Sequence, residues 1–153
     1  MKPIAAFILV AVSMATPALA DDMADATKDH AVKAAAYFAS ADLETAKKAF
    51  ADKSNTEWVR PEYNLHVTGI GSDGVIWADG AFPELIGADL ATLTDLDGTS
   101  FGKEMLEKSK EMTEGHLMTL RFINPKTQQA AKSYGYCLRP KGEDVVCAWS
   151  EAD

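Results

Sequence analysis

The chain has 153 residues, with 15 Lys and Arg against 23 Asp and Glu, and a formal charge of −8. An acidic chain without a basic run is a poor partner for nucleic acid or an anionic membrane surface, so neither is expected. Its length suits one domain with a real core and excludes two.

The first twenty residues read as a secretory signal peptide. Lys2 is a short basic start, "IAAFILVAV" is an apolar stretch, and "ALA" at 18–20 precedes "DD". That is the order of n-region, h-region and small-residue cleavage site. The apolar stretch is too short for a comfortable membrane span. Cleavage after Ala20 leaves one domain, residues 21–153, and makes the chain more acidic by the loss of Lys2. The expected location is the periplasm or the outside of the cell.

Residues 25–52 read as one long helix. Val32, Ala36, Ala39, Leu43, Ala46 and Phe50 recur at steps of four and three, one apolar stripe. The stripe suits packing on a sheet. It suits self-association equally, so a homodimer through this helix is a second expectation. "KSNTEW" breaks the pattern and Pro61 ends any continuation.

Two strand candidates follow, "YNLHVTGI" and "VIWA", around "GSDG". Gly69 to Gly74, "GIGSDG", has the G-x-G-x-x-G spacing of a dinucleotide loop. That loop needs a helix after the glycines to receive the pyrophosphate. Here Val75, Ile76 and Trp77 are β-formers and Gly80 arrives too soon for a helix. Asp73-Gly74 therefore reads as the tight turn of a hairpin.

"DGAFPELIGADLATLTDLDGTS" reads as a structured loop, with one helical turn at "PELIG". "SFGKEMLEKSKEM" reads as a short amphipathic helix with Phe101, Met105 and Met112 near one face. "GHLMTLRFI", "AAKSYGYCL" and "DVVCAWS" read as three further strands. The order is long helix, two strands, loop with a short helix, three strands. Hairpin-length gaps give a five-stranded antiparallel sheet in an α+β fold.

The two cysteines, Cys137 and Cys147, fall on the last two strands. A hairpin centred on Gly142 pairs them directly, and an exported chain favours a disulfide. A metal role is weaker, because the spacing is not C-x-x-C. His30, His66 and His116 are scattered without metal-ligand spacing. "TDLDG" at 94–98 lacks the later carboxylates of a calcium loop. No metal, cofactor or catalytic residue is expected.

Several of these pieces, in this order, resemble the single Cache domain family of extracellular PAS-like sensor modules. They are the hairpin "SDGVIWA", the segment "PELIGADLATLTDLDGTSFGKEMLE", and "NPKTQQAAKSYGY". The likeness spans roughly residues 25–150. Where the family often has a His-Pro pair, this chain reads "ADGAFPELIG", with Asp79 near the histidine's place. The resemblance implies a curved five-stranded sheet with a long N-terminal helix and a pocket between sheet and connecting loop. It implies binding of a small molecule, often a short organic acid, and no enzymatic activity. The signal would pass to a separate partner, a membrane receptor or another periplasmic protein.

A carboxylate ligand needs fixed positive charge and donors in a partly dry site. Lys132, Tyr134 and Tyr136 share one strand face by period two. Lys132 or Arg121 is expected to supply the charge, Tyr134 a hydroxyl, and Trp77 and Phe101 apolar walls. Two other readings stand beside this one. The first is an interaction protein on the same fold with a vestigial pocket. The second is an enzyme using His116 or His66 as general base.

Overall fold

The computed structural model describes residues 17–109, 114–124 and 127–152. Most of the expected signal peptide lies outside them, as do Met112 and, within "NPKT", Pro125 and Lys126.

The expected single helix is two: α1, Pro17–Ser40, and α2, Leu43–Ala51. Asp42 separates them. It is extended, and its carboxylate accepts from Thr45 N at 2.9 Å and Thr45 Oγ1 at 2.7 Å. Such a cap stabilises a helix start by about 1 kcal/mol and ends the helix before it. Ala46 and Phe50 of the expected stripe are buried, but its earlier part is out of phase. Val32, Ala36, Ala39 and Leu43 are exposed, while Ala31, Ala34, Ala35 and Phe38 are buried. One residue is about 100° of helix, and with an alanine at so many positions a neighbouring stripe looks nearly as apolar. The small buried side chains let α1 lie close on the sheet.

Five antiparallel strands form that sheet: β1, His66–Ile70; β2, Ile76–Asp79; β3, His116–Ile123; β4, Ala130–Lys141; and β5, Asp144–Glu151. Their order across the sheet is β2-β1-β5-β4-β3. "GSDG" is the turn between β1 and β2. Gly74 N donates to Gly71 O at 2.9 Å, Val75 N donates to Asp73 Oδ1 at 3.0 Å, and Gly74 has φ +83°. No helix follows it, so it is no phosphate cradle. Cys137 and Cys147 pair directly across β4 and β5, with Cα atoms 4.1 Å apart, and are joined by a disulfide.

The two faces of the sheet are packed separately. On one, α1 and α2 bring Ala34, Phe38, Ala46 and Phe50 against Val67, Ala78 and Val146, with Trp58 in the same cluster. On the other, a short helix α3, Phe101–Ser109, brings Phe101 and Met105 against Leu120, Trp149 and the disulfide. Met105 Sδ lies 3.1 Å from Cys137 Sγ.

The segment between β2 and α3 arches over this second face. At its start it runs along the outer edge of β2: Ile76 N donates to Ala88 O and Gly87 N to Ile76 O. Pairing that edge removes an aggregation surface. Two single 3-10 turns, Pro83–Leu85 and Leu90–Thr92, shape the crossing. At the far edge Leu96 N donates to Arg121 O on β3, at 2.9 Å.

Candidate functional site

Strand alternation decides which side chains meet the arch. Register aligns His66 with Trp149, Gly135 and Met118 in one row across the sheet. A second row joins Asp79, Thr68, Cys147, Cys137 and His116. A third joins Glu151, Ser133 and Leu120. All three rows face the arch. Between them and the arch lies a cavity of about 290 Å³.

Its floor is polar at one end. His66, Thr68, Asp79, Ser133 and Glu151 all line it and are all nearly fully buried. Its roof and far end are apolar: Phe82, Leu85, Leu90 and Leu93 from the arch, Phe101 from α3, Phe122 from β3 and Trp149 from β5. Glu84, exposed on the first 3-10 turn, stands at its edge.

Asp79 is held from three sides. Thr68 Oγ1 donates to Oδ2 at 2.6 Å, and Ala81 N and Phe82 N donate to Oδ1 at 2.9 and 2.6 Å. These bonds turn the chain from β2 into the arch, the local work of an aspartate side chain at a turn. His66 Nδ1 donates to Asn64 O at 3.1 Å, which leaves Nε2 as the acceptor of the neutral ring, 4.0 Å from Asp79 Oδ1. Ser133 Oγ is buried and, among the described residues, has no hydrogen-bond partner. A buried hydroxyl in that state is usually matched by a water or ligand atom.

The charge in the wall is negative. Three carboxyl groups line the cavity, and no Lys or Arg among the described residues does. Two like charges about 4 Å apart repel by about 4 kcal/mol at an effective dielectric near 20. A carboxylate placed beside an ionised Asp79 meets that repulsion. A second cleft adjoins the first across His66, Phe82 and Glu151, with Lys53 and Arg60 exposed along it. Among the described residues, no group of three or more His, Cys, Asp or Glu is placed to hold a metal ion.

Of the five expected ligand residues, the structure brings Phe101 to this cavity and leaves four outside it. Ser133 faces the arch, so Lys132 and Tyr134 face the opposite side. Lys132 is exposed with its Nζ 4.6 Å from the buried Tyr134 ring. Tyr136 turns the same way, with Lys28 of α1 6.0 Å from its ring. Arg121 pairs in register with Lys132 and makes an exposed ion pair with Asp97 at 2.7 Å. Trp77 is turned by a β-bulge: Ile70 pairs with Ile76 and Gly69 with Ala78, so Trp77 is the extra residue. It lands on the helix face, stacked on Phe50 and tilted against Phe38. His116 does not line the cavity; Lys108 Nζ lies 3.5 Å from its Nε2.

Not expected as ligand contacts were His66, Asp79, Ser133 and Glu151, which line the cavity. The disulfide carried the signal that finds two of them. Cys137 and Cys147 are the pair of a single face, so Ser133 and Gly135, and Trp149 and Glu151, must share it.

No protein-family model and no curated protein matches the chain. Solved structures do match its fold. A methyl-accepting chemotaxis protein from Vibrio parahaemolyticus superposes with a TM-score of 0.67 at 19% identity, over 90% of this chain and 93% of that one. A Cache chemosensory domain, described for its recognition of carboxylic acids, gives 0.67 at 18% identity, over 92% and 100%. The periplasmic sensor domain of a chemotaxis protein gives 0.56 at 16% identity, over 90% and 92%. All three come from chemosensory proteins. The chain has the fold of these sensor domains.

Proposed function

We propose that this chain is an exported sensory-type domain that binds a small molecule between sheet and arch, and that it is not an enzyme. The cavity carries the reading. It holds about ten water-sized groups at ~30 Å³ each. It has an apolar roof, and five buried polar side chains converge at one end. That is the composition of a small-ligand site. The chemosensory origin of the solved structures with this fold supports it, and a periplasmic location follows from the same likeness together with the signal-peptide reading.

The signal would leave through α1. On β5, Trp149 and Glu151 reach the cavity while Ser150, between them, reaches the helix. Ser150 Oγ and Thr27 Oγ1 are 2.5 Å apart and buried. A shift of β5 on ligand binding is therefore felt by α1 directly. Val32, Ala36 and Ala39 form an exposed apolar row on α1, which suits a second copy, a membrane receptor or another periplasmic protein. An enzymatic use of His66 lacks a close partner: the Asp79 oxygen, at 4.0 Å, is beyond hydrogen-bond reach.

A small organic acid is the ligand that the carboxylic-acid-binding neighbour suggests. The test is a thermal-shift screen of the oxidised chain, unfolded and refolded to strip carried ligand, against small acids, amines, amino acids and neutral analogues. A true ligand at a hundred times its Kd adds about 2.7 kcal/mol of stability. A cooperative melt that no compound moves would remove the binding function and leave an interaction protein with a vestigial pocket.

A further inference from the structure

We propose that the cleft beside the arch is a second binding site, for a small oxyanion of the carboxylate or phosphate class. It lies outside the cavity under the arch and does not depend on that cavity binding a ligand.

The cleft has a volume of about 380 Å³. One bank is the loop from α2 to β1, with Lys53, Val59, Arg60 and Asn64; the other is Ala81 and Phe82, where β2 runs into the arch. The banks meet at Gly80, where a Cβ would lie 2.8 Å from Val59 Cγ2 and 3.1 Å from Phe50 O. Arg60 N donates to Leu65 O at 2.7 Å, which folds residues 60–65 into a tight loop and sets Arg60 and Asn64 on the same cleft. Inside that loop Tyr63 and Asn64 are both left-handed, with φ +58° and +48°. Asparagine tolerates this conformation, whereas a tyrosine held there costs roughly 1–3 kcal/mol.

Charge gives the ligand class. The chain carries −8 overall, yet Lys53 and Arg60 stand along this cleft. Of the three arginines, Arg121 pairs with Asp97 and Arg139 with Glu143, while Arg60 has no carboxylate partner among the described residues. Lys53 has none either. A lone solvated cation on a surface is ordinary. Two along one cleft with apolar walls are different, because low-dielectric walls focus their field. The carboxylate in the lining, Glu151, is buried at the inner end and already engaged. An anion therefore sits at the outer end, with the two exposed cations.

Hydrogen bonding adds a second, independent observation. Asn64 Nδ2 is buried in the lining and has no hydrogen-bond partner among the described residues. A buried amide nitrogen in that state calls for an acceptor. An oxyanion accepts from such an N–H, from the guanidinium fork and from an ammonium together.

The test is a titration of the ¹⁵N-labelled, oxidised chain at constant ionic strength with sodium phosphate and sodium succinate, and with sodium chloride as control. Saturable shifts are expected at Lys53, Ser54, Arg60 and Asn64 with one or both oxyanions and not with chloride. Saturation by phosphate alone makes the ligand a phosphate; saturation by succinate makes it a carboxylate. Arg60→Gln should weaken binding about tenfold, the loss of one charge-assisted contact, and Lys53→Gln several-fold. Asn64→Gly deletes the amide while keeping a residue that accepts the left-handed backbone, and should cost a few-fold. Lys132→Gln removes an exposed cation from the other face of the sheet and should change nothing. An equal loss in Lys132→Gln would assign the effect to diffuse surface charge and overturn the proposal. Shifts that never saturate overturn it too. So do saturable shifts at Thr68 and Ser133 that survive Arg60→Gln, which would put the anion under the arch instead. Should Arg60→Gln fail to melt cooperatively, Lys53→Gln carries the same test, and unchanged affinity there overturns the proposal.

Discussion

On the helix face Trp77 lies across Gly69; on the cavity face Trp149 lies across Gly135. A Cβ at either glycine would run into the tryptophan ring. Behind Trp77 stand Phe38 and Phe50, part of a packed aromatic group. Behind Trp149 stands the cavity. Two similar local devices therefore serve opposite ends: one face is filled by α1 and α2, and the other is kept open under an arch. Close packing leaves no slack where it is complete, so perturbations should divide by face.

The largest effect belongs to the filled face. Phe50→Ala removes a fully buried ring from contact with Tyr37, Trp58 and Trp77. It should lower unfolding free energy by about 3–5 kcal/mol in denaturant titration. A loss under about 1 kcal/mol would mean that this face is looser than described. Next is the disulfide, which on the open face holds β4 to β5. Replacing both cysteines by alanine should destabilise by about 2–4 kcal/mol, measured against the oxidised chain.

The glycine pair gives the sharpest contrast. Gly69→Ala drives Trp77 into its aromatic neighbours and should cost about 1–3 kcal/mol. Gly135→Ala can push Trp149 into empty space, so its cost should be smaller and its main effect a loss of ligand affinity. Equal costs with unchanged binding would erase the distinction between the faces.

On the helix face, burial holds the His30 imidazole below its ordinary range, opposed by its hydrogen bond to Trp58 O at 3.1 Å. The unfolded chain then binds a proton that the folded one resists. Stability from this group is complete above the ordinary value of 6.5 and falls as pH drops toward the lowered folded value. His30→Gln should flatten the acid limb of a melting-temperature profile between about pH 5 and 7. A profile that keeps its slope assigns that limb to other groups. Smallest of all, Lys132→Ala and Arg121→Ala should each change stability by under about 1 kcal/mol, as exposed charges do. They should also leave cavity binding unchanged. Loss of binding in Lys132→Ala would restore it to the site.

The strands and their order were legible because β-formers alternate between clear turn signals such as Asp73-Gly74 and Gly142. The helix was legible as a helix, but not its break. Asp42 sits in a run that stays apolar-periodic on both sides, and a cap shows itself only through Thr45. Site residues were harder. Lys132 and Tyr134 were placed by charge and motif, whereas the face they occupy depends on strand parity, and Ser133 next door takes the cavity. Trp77 escaped because a bulge shifts parity by one residue, and nothing in "GVIWADG" announces a bulge. Phe101 lines the cavity, as it begins an amphipathic helix whose apolar face meets the sheet.

The most direct measurement is a ¹⁵N-resolved titration of the assigned chain with the compound that gives the largest thermal shift. Saturable shifts should centre on Thr68, Ser133 and Glu151 and fade across the helix face. Shifts confined to Val32, Ala36 and Ala39, with the cavity strands silent, would contradict a ligand site between sheet and arch.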